Sequence, residues 1–410
     1  MRRHRILRMN VTRRAFLGAA GATAVASLSR AAAQDQGDPL NVRKDFPALR
    51  ELTFLNTAYA GLIPQPVADA ARQWIERRAT RSYTVGEMFA RADEARALLA
   101  RMIGAGEDEI AFISSTTEGE NIVVNSLDFK AGDNIVYDDL VYPSTPAIYQ
   151  KLASTRGVEV RVVKSRNGAA TVEDFAKLVD RRTRLVSVAW VNNNSGYRHD
   201  MRALANLAHG HGAYLYSDAV QFIGTGPVDV HAEGVDFFTT GTYKWLMAGF
   251  GVAAFYVRRE LMETIQPPYV GWRSRPDQQR NSKKFEYATL PFGEIYELAA
   301  ALEYLQRIGL DKIEARSQGL VQRFRNGLAQ RKIAIATPDN NRSPIVSFYI
   351  RRPSAEATKM MEADRVRVSF QDLAPAAGTA GQTRVRVAIA FFNNEADIDR
   401  MLTMAEKLRG

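Results

Sequence analysis

Ala213-Tyr214-Leu215-Tyr216-Ser217-Asp218-Ala219-Val220-Gln221 and Val235-Asp236-Phe237-Phe238-Thr239-Thr240-Gly241-Thr242-Tyr243-Lys244-Trp245-Leu246 are the two stretches on which the reading of the fold turns. Each is a short apolar run that ends on small polar residues and then a charge, the pattern of a buried strand emptying into a loop. The same texture recurs on both sides. Strands are predicted at 110–113, 134–137, 158–163, 185–190, 213–217, 235–238 and 252–257, separated by amphipathic helical patterns at 87–102, 143–154, 172–180 and 203–209. Strands alternating with helices predict an α/β fold with a mostly parallel sheet covered on both faces. Ligands of such sheets sit beyond the C-terminal ends of the strands.

From Pro291 onward the pattern changes to long helical runs (294–308 and 312–331), short strands (345–350, 366–370, 384–390) and a closing helix from Glu395. This predicts a smaller α+β domain over 291–410, beside a large domain over 61–290. Turn-rich stretches at 266–282 and 374–383 read as surface excursions.

The chain has 410 residues, no cysteine and a formal net charge of +10. The missing cysteine excludes disulfides, thiolate metal ligands and any persulfide carried by the protein itself. The charge is unevenly placed. Residues 1–34 hold Arg2, Arg3, Arg5, Arg8, Arg13, Arg14 and Arg30 and no acidic residue; without those seven, 48 basic residues face 45 acidic ones, a net of +3. That removes most of the support for a nucleic-acid partner. The leader runs from Thr12-Arg13-Arg14-Ala15-Phe16-Leu17 through an Ala-rich stretch to Ala31-Ala32-Ala33, too short and weakly apolar for a membrane anchor. It has the form of an export signal over 1–33 and resembles a twin-arginine leader, which implies recognition by that export machinery and a periplasmic or exported protein. His209-Gly210-His211-Gly212 reads as a helix end before a strand, and no metal site is expected.

Three polar clusters follow predicted strands. Ser114-Ser115-Thr116-Thr117-Glu118-Gly119 precedes a helical pattern, so its hydroxyls and free N–H groups form either a phosphate cradle or a plain Ser/Thr N-cap. Asp218, with Gln221 three residues on, is either a helix cap or a buried carboxylate. Lys244 stands beside the apolar stretch from Trp245, where burial would lower its pKa.

Taken in order, the phosphate loop, Asp-x-x-Gln, Lys-Trp and a late Arg resemble the class V aminotransferase family of pyridoxal-5'-phosphate (PLP) enzymes of fold type I, over nearly all of the chain from Phe54. The resemblance implies a mostly parallel seven-stranded sheet in the large domain, with a 34–60 arm joining the small one. It implies that Lys244 forms the Schiff base and moves protons, that Asp218 pairs with the pyridine nitrogen, and that Gln221 and Asn193 reach the ring hydroxyl. Tyr142, in Tyr142-Pro143-Ser144, takes the place of a ring stacked on the cofactor. Ser115, Thr116, Thr117, Thr242 and Tyr243 match phosphate contacts, although Gly241 stands where many relatives have Ser. Thr289 matches an element that reaches the phosphate of a neighbouring subunit, which implies a homodimer. Arg386 matches the residue that binds the substrate carboxylate, with Arg384, on the same strand face, as the competing candidate.

Within the family, the Lys-Trp pair, Tyr142-Pro143-Ser144 and Gly271-Trp272 resemble the isopenicillin-N-epimerase-like branch. The expected activity is on an amino acid or amino-acid unit of a larger metabolite through an external aldimine, with transamination as the outcome. Epimerisation and C–S or β-elimination are the alternatives, and a non-catalytic PLP-fold binding protein is the reading from another class. Because desulfurases of this family carry sulfur on a cysteine, the absent cysteine leads to the expectation that the chain is not a cysteine desulfurase.

Overall fold

The computed structural model describes residues 37–275, 280–339, 342–373 and 381–409. The leader at 1–33 and, of the two turn-rich stretches, residues 276–279 and 374–380 lie outside the described residues.

The strands are β1 (Thr53–Phe54), β2 (Ile110–Ile113), β3 (Asn134–Asp138), β4 (Glu159–Val163), β5 (Thr183–Ala189), β6 (Tyr214–Asp218), β7 (Phe237–Gly241), β8 (Ala253–Val257), β9 (Ile345–Ile350), β10 (Val366–Arg367), β11 (Ser369–Asp372) and β12 (Thr383–Ala388). The helices are α1 (Gln65–Thr80), α2 (Val85–Ile103), α3 (Thr116–Ser126), α4 (Ser144–Arg156), α5 (Val172–Ala176), α6 (Met201–Gly210), α7 (Val230–Glu233), α8 (Phe292–Ile308), α9 (Leu310–Gln330), α10 (Ser354–Ala363) and α11 (Glu395–Leu408).

A seven-stranded sheet runs in the order β2-β8-β7-β6-β5-β3-β4. It is parallel except for β8, which is antiparallel to both β2 and β7. Every residue of β2, β3, β7 and β8 is buried. Burial on both faces is why these strands read as unbroken apolar runs rather than alternating ones. On one face α2 packs against α8 through Ala95, Leu98, Leu99 and Met102. Its ends are set locally: Thr84 accepts from the Glu87 N–H at 3.2 Å and Glu87 returns the bond to the Thr84 N–H at 2.9 Å, while Gly104 closes the helix at φ 71°.

A smaller antiparallel sheet, β11-β12-β9, is covered by α9 and α11 around Leu320, Phe324, Phe348 and Met401. The predicted strand at 366–370 is two strands serving two sheets. Val366–Arg367 pairs with β1, whereas Ser369–Asp372 pairs with β12. The N-terminal segment is bound into this part of the molecule: the Ala388 N–H donates to the Leu55 carbonyl at 2.8 Å, and buried Arg43 donates to Asp397 at 2.8 Å and to the Phe392 carbonyl at 2.7 Å. Among the described residues no helix is long and apolar enough to cross a membrane.

Candidate active site

β6 ends at Asp218 and β7 at Gly241, neighbours in the sheet, so the loops that follow them deliver Asp218 and Lys244 to the same edge. Lys244 is 8% exposed. Burial pulls its amine down to about 8; Asp218 opposes that shift and Arg386 adds to it. Burial raises the Asp218 carboxyl above its ordinary range, against the Val220 N–H that donates to it at 3.0 Å and against Lys244. The amine is thus within electrostatic reach of both a carboxylate and a guanidinium.

Arg386 is buried, and its bonds go to neutral atoms: the Asn193 carbonyl at 3.0 Å, the Ser369 hydroxyl at 2.9 Å and the Asn56 side-chain oxygen at 3.3 Å. No carboxylate among the described residues pairs with it, its Nε has no partner, and burial lowers it to about 10. A desolvated guanidinium with a spare donor is a receptor for an anion. Arg384 lies on the same face of β12 but is partly exposed, donating to the Gln371 side chain at 3.1 Å.

At the start of α3, Ser115 is the N-cap, accepting from the Glu118 N–H at 3.1 Å. Ser114 donates to the Glu118 carboxylate from its N–H and its hydroxyl. The hydroxyls of Thr116 and Thr117 make no bond to the described residues, so this helix start offers donors to an anion. α3 comes close to β7 because of Gly119: a Cβ there would lie 2.0 Å from Cγ2 of Thr239.

Other predicted residues are placed differently. Gln221 is buried with its amide engaged, donating to the Ala58 carbonyl at 2.9 Å and accepting from the Trp245 indole at 2.9 Å. It ties the N-terminal segment to the lysine loop. The Thr242 hydroxyl is likewise engaged, donating to the carbonyls of Gly249 at 2.7 Å and Val252 at 3.0 Å. Tyr243 stacks on Phe250 with centroids 4.4 Å apart, and the Lys244 amine lies 5.6 Å from its ring centre. Tyr142 is 52% exposed; with Asp218 and Tyr59 it lies near enough to Tyr243 to raise that hydroxyl further, after burial. The Leu140 turn leading to Tyr142 is pinned by Asp138, which accepts from the Leu140 N–H at 2.8 Å and pairs with His199 at 2.9 Å. Asn193 contributes its carbonyl to Arg386, and its side-chain amide has only a 3.5 Å contact to Asn194. Thr289 is exposed, lining a cavity of about 220 Å³ with Ser114, Glu118 and Gly251, on the flank of the α3 loop.

Sequence reasoning missed Gly61, Asn56 and Ser369. The Gly61 N–H donates to the Tyr243 carbonyl at 2.8 Å, so the chain crosses directly over the lysine loop. Asn56 and Ser369 hold Arg386 and each other, the Ser369 hydroxyl donating to Asn56 at 2.8 Å. Only the antiparallel register that sets Ser369 opposite Arg386 reveals the pairing. Among the described residues no cluster of metal-ligating side chains occurs.

The buried amine, the carboxylate at a strand end, the donor-rich helix start and the unpaired guanidinium fit PLP, and the fold and site define a PLP-dependent enzyme of fold type I. The chain belongs to the class V aminotransferase family, whose profile (Aminotransferase class-V) matches residues 53–401. It is 30% identical over 329 residues to a probable cysteine desulfurase of Pyrococcus abyssi (strain GE5 / Orsay), covering 76% of this chain and 82% of that one. The apo structure of a cysteine desulfurase from Thermococcus onnurineus NA1 matches with a TM-score of 0.80 at 26% identity, covering 90% of this chain and 98% of that one. A C-DES mutant with glycine covalently linked to its PLP cofactor shares the fold, with a TM-score of 0.79 at 22% identity over 89% of this chain and 99% of that one.

These relatives overturn the expectation that the chain is not a cysteine desulfurase. That expectation passed from the absence of a cysteine to the absence of the reaction. A missing cysteine removes one acceptor for sulfur; it leaves the breaking of the carbon–sulfur bond untouched.

Proposed function

We propose that this chain is a PLP-dependent enzyme that breaks the carbon–sulfur bond of a sulfur-bearing amino acid, and that the sulfur leaves on a small molecule. The carrying observation is a buried amine, Lys244, within electrostatic reach of a buried guanidinium that has no carboxylate partner, Arg386. An α-amino acid supplies what each lacks: a carboxylate for the guanidinium and an acidic α-proton for the amine. The relatives named cysteine desulfurases favour cleavage of a carbon–sulfur bond over transamination, against one named an uncharacterized aminotransferase, and none of these names lends support to the isopenicillin-N-epimerase-like branch.

PLP supplies an electron sink for the charge that develops at the α-carbon. Arg386 holds the substrate carboxylate and thereby fixes which α-bond faces the reactive edge. Lys244, near its titration midpoint at neutral to mildly basic pH, both accepts and returns a proton. Asp218, at the end of β6, is the carboxylate that would serve as counter-ion to the ring nitrogen. No side chain of this protein can take the sulfur as a persulfide, since the chain has no cysteine. The sulfur therefore departs as a thiolate or persulfide of a soluble product.

The test is a comparison of amino acids bearing sulfur, oxygen or only carbon on the β-carbon, supplied to the cofactor-loaded chain and to Lys244→Ala. Turnover confined to the sulfur substrates and abolished in the variant supports the reading; equal turnover of all three contradicts it. Two further proposals accompany it. The arginine-rich leader supports action after export, tested by fractionating cells that make the full chain. The position of Thr289 beside the α3 loop supports a homodimer, tested by light scattering of the purified protein.

A further inference from the structure

Glu120 is a glutamate where an apolar residue would be cheaper. It follows Gly119 on α3, is 3% exposed, and sits on the helix that continues with buried Ile122, Val123 and Val124. Its Oε2 accepts one hydrogen bond, from the Thr145 hydroxyl of α4 at 2.9 Å. Its Oε1 has no partner, and no cation among the described residues pairs with it. A carboxylate so placed is costly when ionised and comfortable when protonated.

The groups around it are acids or hydroxyls. From α4 come Thr145 and Tyr149, whose hydroxyl is itself buried without a well-formed bond; from β5 Ser187; from β6 Tyr216 and Asp218; from β7 Thr239, which is bonded to the Tyr216 hydroxyl at 2.7 Å. The titratable residue of β8, Tyr256, is turned to Glu109 instead. The positive charge that acts on Asp218 is Lys244. Gly119, next to Glu120, packs on Thr239, the strand partner of Asp218, so buried Glu120 and half-buried Asp218 lie near one another.

We propose that Glu120 is a positioning residue for the cofactor, adding a negative charge close to Asp218, the carboxylate that would pair with the ring nitrogen. Burial, with Asp218 nearby, raises the Glu120 carboxyl to about 7 against the hydroxyls of Tyr149 and Thr145, so Glu120 takes on its negative charge near neutral pH. That charge strengthens the hold on a protonated pyridine ring, so the cofactor is bound more firmly on the basic side. This rests on the PLP site and is independent of which substrate bond is broken.

The test is the affinity of wild type and Glu120→Gln for PLP, measured by absorbance titration at about pH 6 and about pH 8. The two proteins are expected to agree within about threefold at the lower pH, where both are neutral at position 120, and the variant to bind about tenfold more weakly at the higher. A variant-to-wild-type ratio that does not change with pH overturns the proposal, because a merely structural role weakens binding equally at both. Thr145→Val, which keeps the carboxylate and removes its donor, is the second variant; it raises the pH at which wild-type-like strengthening sets in, and an unmoved profile counts against the tuning role. A wild-type protein that takes up no PLP overturns the cofactor site and the tuning role together, whereas one that binds with a pH-independent ratio overturns the tuning role alone.

Discussion

Gly61 and Lys244 are in backbone contact: a Cβ at position 61 would stand 2.1 Å from the carbonyl oxygen of Lys244. The obstruction is main chain, so it cannot swing aside. Gly61→Ala is expected to destabilise the protein by about 1–3 kcal/mol and to displace the lysine loop. Thermal denaturation and PLP uptake measured together check this; a variant with wild-type uptake shows that the crossing does not position Lys244.

The depressed Lys244 amine gives a pH signature. Only the neutral amine attacks an aldehyde, and its fraction grows as pH rises through about 8. The rate at which cofactor-free protein captures PLP is expected to rise about tenfold from one pH unit below that value to one above, then level off. Capture still climbing toward the ordinary lysine range would show that the amine is not desolvated. Lys244→Arg is expected to show no capture at any pH.

The two arginines of β12 separate by burial. Arg386→Lys removes a forked donor from a dry site and is expected to lower kcat/KM at least about thirtyfold, mostly through KM. Arg384→Ala is expected to stay within about threefold of wild type, since its contact is a partly exposed bond to Gln371. Steady-state kinetics on both variants decide it; the reverse ranking would move the carboxylate site to Arg384.

Arg43 and Asp397 bind the N-terminal segment to α11 with both side chains 7% exposed. Removing one partner leaves the other charged and dry, so Asp397→Ala is expected to cost about 3–5 kcal/mol. Asp397 also accepts from the Asn393 side chain at 3.0 Å, which adds to the loss. Chemical denaturation measures it, and a change below about 1 kcal/mol would show that the arm is held by its apolar contacts.

The sheet was legible because strands buried on both faces leave uniform apolar runs, and Lys244 and Asp218 because each follows such a run. Strand ends were less so. β7 was expected to stop at Phe238 and continues to Gly241, since Thr239 is buried under Gly119 and paired with Phe255. The 366–370 run conceals a switch between sheets because hydropathy records burial and says nothing about the partner strand. In the site, residue types pointed to chemistry but not to where hydrogen bonds go. Gln221 and Thr242 look like ligand contacts in sequence and are engaged with the protein in space. Ser369 meets Arg386 through strand register, and Asn56, far from it along the chain, through the bridge to Ala388.

The central claim is that sulfur leaves a substrate held by Arg386 over Lys244 without a protein cysteine to receive it. The direct measurement is mass-spectrometric identification of both products when the PLP-loaded chain is given cysteine or cystine with a small-molecule thiol and no keto acid. The account predicts sulfide or a soluble persulfide in step with a carbon product that has lost its sulfur, and neither in Lys244→Ala. A keto acid that retains the sulfur, formed only when a second keto acid is supplied, would contradict it.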